Sequence, residues 1–359
     1  MRKPLGVALI LLFSTIHSID ASHASNRYTS ADFATAGSLC FSANELSLSK
    51  NGALNCVKGK WVKVAEANDT VTTRAFRSLM ARYNKMPNST PNLLVRADPK
   101  AGAWKNKIVA GINAGARLWG TSTPADKAVP AYISEKGEYV TQQIVKDGLY
   151  ENPEDGKRNR DASARGGGQA GFHGPYFDFI FSDQSSHDLG FYNVGPHEYT
   201  HYAQMKFSET RNSQVPREFW IDEGCAMYVG TSLGGVLGLP QDQRANIVRN
   251  LAQQSAPVSV SFFTQGGQNL YSDNRFNQVF DIGPIACEAL VALKGIDSIE
   301  SYYKGLAQPG ATPDTVVPTV YETSLKSLVG VVQKYVASVR NGKQMTLTQL
   351  QAEYQKVVK

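Results

Sequence analysis

The chain has 359 residues, with 37 Lys+Arg against 31 Asp+Glu, 42% hydrophobic residues and a charged fraction of 19%. This supplies one large domain or two with a real core, and excludes a disordered chain. The formal charge of +6 is spread along the sequence without a Lys/Arg block or a basic–aromatic repeat, so it reads as solubility and gives no sign of a nucleic-acid groove.

Taken in chain order, the first segment reads as an address. Arg2 and Lys3 precede an apolar run from Leu5 to Phe13, and small residues follow at Ala21, Ser22 and Ala24. That order predicts a secretory signal peptide over residues 1–24, with a retained N-terminal anchor as the alternative. No other stretch approaches 18 apolar residues, so no integral membrane span is expected after signal removal. Export places the mature protein in the medium or the cell envelope, where four Cys favour two disulfides. Asn51-Gly52 reads as a two-residue hairpin turn that draws Cys40 and Cys56 towards each other. The stretch resembles the small disulfide hairpins of shufflon-type and pilin-tip proteins, with a C…NG…L-x-C-x-x-G-x-W pattern over about 25 residues. Pairing Cys40 with Cys56 leaves Cys225 for Cys287.

Beyond this hairpin module, assigned to 25–62, residues 63–84 have helical periodicity, ended by the Pro87–Pro91 region. Pro91 to Arg96 reads as a strand, Lys105 to Trp119 as a helix, Val129 to Ser134 as a strand and Tyr139 to Lys146 as a helix. The polar, Gly-rich segment from Asp155 to Gly174 reads as a long loop. Tyr176 to Phe181 then alternates as a strand, and everything after Pro196 reads helical, interrupted around 255–280 and 308–320. The tail from Thr346 to Val358 begins with a helix cap. The expected class is α+β: a mixed helix/strand lobe at 63–205 and a mostly helical lobe at 206–359.

One segment carries chemistry. Gly195-Pro196-His197-Glu198-Tyr199-Thr200-His201 contains H-E-x-x-H, with Pro196 expected at the first turn of its helix. At this spacing the two imidazoles lie one turn plus about 40° apart and share a face, supplying two corners of a tetrahedral zinc site. Glu198 projects from an adjacent face, within reach of the metal without being a ligand. The chain holds six His, two of them within residues 1–24, which leaves little room for the pattern by chance. Downstream, Trp220-Ile221-Asp222-Glu223-Gly224-Cys225-Ala226 offers a third donor.

H-E-x-x-H followed by W-x-x-E-G-x-A resembles the gluzincin zinc metallopeptidases, notably the aminopeptidase-N-like clan, over roughly residues 100–340. The absence of a His three turns after His201 sets metzincins aside. The resemblance implies a zinc ion held by His197, His201 and Glu223, with Asp222 the competing third ligand. It also implies Glu198 as the general base for water attacking a peptide bond of a peptide or protein substrate. Phe177 to Phe181 is then the expected edge strand beside the cleft, pairing with an extended peptide.

Three departures shape the expected activity. The 21 residues between His201 and Glu223 exceed the family's usual gap, a surplus that fits a loop around Asn212 to Pro216. No G-x-M-E-N precedes His197, which favours endopeptidase over aminopeptidase action. Where the family has Tyr for the oxyanion, the best match here is Phe280-Asp281-Ile282-Gly283, and loss of one such donor costs about 2.7–4 kcal/mol of barrier. Tyr271, His173 and His187 are the candidate substitutes; the two histidines read otherwise as ordinary loop residues. The alternative function is a non-catalytic, zinc-containing extracellular or envelope binding protein. Two further matches fail on context. G-x-G-x-x-G at Gly166, Gly168 and Gly171 lacks a preceding strand, and G-x-S-x-G at Ser232 has no later His to complete a triad.

Overall fold

The computed structural model describes residues 34–40, 43, 45–102, 104–149, 168–181, 187–210, 218–238, 242–254, 258, 262–263 and 276–358. The expected signal peptide at 1–24 lies outside them.

The first unit is an antiparallel sheet of β1 (Leu46–Ser49), β2 (Gly52–Val57) and β3 (Lys60–Lys63) in that order. Ser49 pairs with Gly52, so the first turn is Lys50-Asn51, one residue earlier than the Asn51-Gly52 reading; Gly52, at φ +93°, opens β2 instead. Lys58 (φ +50°) and Gly59 (φ +76°) close the second turn in the left-handed region that suits the twist of a tight hairpin. Leu39 bridges Lys60, and the Cys40 amide donates to the Gly59 carbonyl at 3.0 Å. This contact, rather than the Asn51 turn, seats Cys40 for its disulfide to Cys56, with Trp61 buried against the pair. Because Lys60–Lys63 pair with β2, the helix expected from residue 63 begins only at Val71: α1 (Val71–Lys85) starts from a capping box between Thr70 and Thr73. Leu48 and Ala53 of the small sheet pack onto Phe76 of α1.

The larger sheet holds β4 (Leu93–Ala97), β5 (Val129–Ser134), β6 (Gly168–Phe172) and β7 (Phe177–Phe181) in the order β4-β5-β7-β6. The strands β4, β5 and β7 are parallel, and β6 runs antiparallel to β7. Ile108 and Ile112 of α2 (Trp104–Trp119) share one core with Ala131, Ile133, Phe177 and Phe179. Val140 and Ile144 of α3 (Gly137–Lys146) join Tyr132 and Ile180 in another. Alternation along β5 and β7 thus places the two helices on opposite faces, so β7 is buried at every position. This corrects two expectations. Phe177–Phe181 is internal, flanked by β5 and β6, and the edge strand is Gly168–Phe172, which was read as loop. Its Gly-rich sequence lacks the branched and aromatic alternation that marks a strand, while the Phe-rich run of β7 suits one covered on both faces.

The site then rests on helices. Helix α4 (His187–Phe207) lies against α2 on one side and α5 (Phe219–Val236) on the other. Pro196 sits inside α4, not at its first turn, because the helix begins at His187. An interior proline forgoes a main-chain hydrogen bond at a cost of about 3 kcal/mol. The α2–α4 contact is close here: a side chain on Gly195 would lie 2.4 Å from the Ile108 carbonyl oxygen.

Helices α6 (Asp242–Gln253), α7 (Phe276–Lys294), α8 (Asp297–Leu306), α9 (Pro313–Tyr321), α10 (Leu325–Arg340) and α11 (Leu347–Gln355) complete the described residues. α9 fills most of the expected 308–320 interruption, led by Pro313 at its first turn. Helix α5 is locked to α7 by the Cys225–Cys287 disulfide and by two glycines in backbone contact, Gly224 and Gly283. Buried Glu288 of α7 accepts both arms of Arg244 at 2.7 Å and hydrogen bonds from Tyr335 and Thr72, tying α1, α6, α7 and α10 together. The class is mixed α+β, as expected, with helices dominating the second half. No helix among the described residues is long and apolar enough to cross a membrane.

Candidate metal centre

H-E-x-x-H falls in the middle of α4, and its one-turn spacing brings the imidazoles together: His197 Nε2 and His201 Nε2 are 3.1 Å apart. Glu223, from the first half of α5, points an oxygen into the same space. Its Oε2 lies 3.3 Å from His201 Nε2 and 3.6 Å from His197 Nε2. A tetrahedral ion with bonds of about 2.0–2.1 Å keeps its donors about 3.3 Å apart, so this triangle has the size such an ion requires. Glu198, on the neighbouring face of α4, has its nearer oxygen 3.9 Å from His197 Nε2. His197, Glu198 and His201 form a largely buried group able to hold a metal ion. Between the two carboxylates, Glu223 is the one at ligand spacing from both imidazoles; Glu198 stands one step back.

Asp222, the competing donor, is turned away. Successive helical residues diverge by about 100°, and the Asp222 carboxylate accepts a hydrogen bond from Tyr303 of α8. Trp220 of the same motif is buried, donates to Glu218 at 3.2 Å and meets Phe263 edge to face. It anchors the start of α5.

The electrostatics of the cluster fit a cation. Both Glu198 oxygens and Glu223 Oε2 are buried outside hydrogen-bond geometry with any protein group, and buried unpartnered carboxylates are costly. Burial, reinforced by the Glu223 and Asp178 charges, pushes the Glu198 pKa up to about 8 against the opposing pull of His201 and the Phe172 amide. Burial also lowers His197. For His201 burial acts the same way, but the Glu223 charge outweighs it and raises the imidazole to about 9. The same imidazoles hold Glu223 well below the ordinary carboxylate range, against its burial. In the absence of metal, a proton on His201 therefore takes part of the place of a cation. A divalent ion held among these groups would satisfy the buried oxygens and draw Glu198 towards its charged form.

Of the remaining candidates, His173 engages Asp178. Its Nε2 lies 3.0 Å from Asp178 Oδ2, and the ring sits tilted at 35° against Tyr176 with its side chain 6% exposed. Phe280 is partly buried against the main core from α7. Tyr271, the His187 side chain and the 212–216 loop lie outside the described residues. The sequence reading missed β6 as the strand beside the site: Phe172 packs on Tyr202 of α4, and its amide is among the groups acting on Glu198. No local pattern marks this strand in the sequence; its pairing with β7 across the short Gly174 turn identifies it.

No family model, curated protein or solved structure matches the chain. The functional reading therefore rests on the two motifs and on the geometry into which they fold.

Proposed function

We propose that this chain is an exported zinc-dependent peptidase that hydrolyses internal peptide bonds. The observation that carries the reading is the convergence of His197, His201 and Glu223 at mutual distances of 3.1–3.6 Å, beside the unpartnered carboxylate of Glu198. Two imidazoles and one carboxylate are a borderline donor set that suits zinc, and three protein donors leave a coordination position open. Zinc bound there supplies Lewis acidity, polarising a carbonyl and acidifying water.

The chain's own residues do the rest. Glu198 Oε takes the proton of the attacking water and delivers a proton to the nitrogen of the leaving amine. The burial that raises its pKa in the metal-free state also keeps bulk water from competing for that proton. The outer edge of β6 offers main-chain groups to an extended substrate next to α4. Gly168 to Phe172 carries no carboxylate to grip a free amino terminus, which supports endopeptidase over aminopeptidase action. Two disulfides suit an oxidising compartment, in keeping with export.

One feature of the sequence favours a second reading, a zinc-containing binding protein without turnover: Phe280-Asp281-Ile282-Gly283 is the best match to the motif that carries the oxyanion tyrosine in the family it resembles, and Phe has no hydroxyl. An assay separates the two. Purified protein is expected to cut an unfolded polypeptide, to stop with a zinc chelator and to resume when zinc is restored. Zinc-loaded protein that cuts nothing across broad peptide libraries would leave the binding reading.

A further inference from the structure

We infer that Gln204 is a positioning residue that sets the tautomer of His201 and so aims its Nε2 lone pair at the metal position; the inference rests on the metal reading above. Gln204 lies three residues beyond His201 on α4 and is 1% exposed. Its Oε1 is 2.8 Å from His201 Nδ1, and its Nε2 donates to the Asp222 main-chain carbonyl at 2.9 Å.

The direction of these bonds follows from chemistry. A carbonyl oxygen only accepts, so the amide NH2 of Gln204 must face Asp222. Its oxygen is then left for His201, and because an amide oxygen also only accepts, Nδ1 must carry the proton. In the neutral ring that a metal requires, the lone pair consequently resides on Nε2, the atom 3.1 Å from His197 Nε2 and 3.3 Å from Glu223 Oε2. One buried amide thus reads a carbonyl on α5, next in sequence to Glu223, and transmits a fixed proton position to the ligand on α4. A glutamate here retains the acceptor but loses the donor; a methionine of similar length loses both.

The test measures zinc affinity by chelator competition at fixed pH for wild type, Gln204→Met and Gln204→Glu. The His201 Nδ1–H resonance of the zinc-loaded wild type and the unfolding midpoints of the metal-free proteins are recorded alongside. Gln204→Met is expected to bind zinc about 10–100-fold more weakly, the usual scale for removing a partner of a ligating histidine. Gln204→Glu should recover most of that loss, and the wild-type Nδ1–H should exchange slowly with solvent. Unchanged affinity in Gln204→Met, or a Gln204→Glu as weak as Gln204→Met, would overturn the inference. If Gln204→Met does not fold, the ring proton decides: slow exchange upholds the bond and its absence overturns it. A folded wild type that takes up no zinc removes the metal reading itself, an outcome distinct from a zinc-binding wild type indifferent to Gln204.

Discussion

Glu198→Gln is expected to lower the cleavage rate by about 10²–10⁴-fold, the range lost with a positioned general base, while zinc content stays at the wild-type level. The substitution keeps the shape of the side chain and removes only its ability to take up a proton as a carboxylate. The proposed ligand triangle leaves out Glu198, whose nearer oxygen stands 3.9 Å from His197 Nε2. Metal retention with lost cleavage is therefore the signature of a base, and loss of both would instead mark Glu198 as a ligand. The fold should not suffer, because the substitution exchanges one oxygen of a buried carboxylate for an amide nitrogen, and a neutral amide is cheaper to bury than a charge. The comparison needs metal analysis and cleavage kinetics on the same preparation.

Gly224→Ala is expected to be nearly as damaging by a mechanical route. A side-chain carbon on Gly224 would lie 2.5 Å from both the carbonyl carbon and the oxygen of Gly283 on α7. Both atoms are backbone, so no rotamer change relieves the clash and the helices must part. Overpacking of this kind costs about 3 kcal/mol. The Cys225–Cys287 bridge holds α5 to α7 at the adjacent position and limits where the displaced helix can go. Glu223 is the preceding residue, so zinc affinity should fall together with the midpoint of chemical denaturation. Gly330 on α10 is the control: nothing lies within 4 Å of its missing side chain, and Gly330→Ala should add about 0.5–1 kcal/mol through helix propensity. Equal stability for Gly224→Ala and wild type would refute the backbone contact.

These two positions also show which parts of the molecule the sequence discloses. His197 and His201 are legible because a helix turns a four-residue spacing into a shared face whatever surrounds it. Glu223 was legible only through the W-x-x-E-G register, and its choice over Asp222 became a matter of geometry once Tyr303 was seen to engage Asp222. Both disulfides pair as expected, though Cys40 reaches Cys56 through the Leu39–Lys60 bridge and not through the Asn51 turn. The strand β6 was hidden because an edge strand of Gly, Gln and Ala carries no alternation, and its identity depends on pairing with β7. The early start of α4 was hidden by Gly195 and Pro196, which argue locally against a helix and are accommodated where α2 packs alongside. Gln204 looked like one more polar residue after the motif; its bond to the Asp222 carbonyl spans two helices, and no local pattern announces it.

The central claim is that three side chains from two helices share one divalent ion. Its most direct test is zinc stoichiometry and affinity after reconstitution and dialysis, for wild type and for Glu223→Ala. The wild type should hold one zinc per chain, and Glu223→Ala, which removes a donor 3.3 and 3.6 Å from the two imidazole nitrogens, should lose it under the same dialysis. A wild type that retains no zinc, or a Glu223→Ala protein that binds it as tightly, would contradict the account.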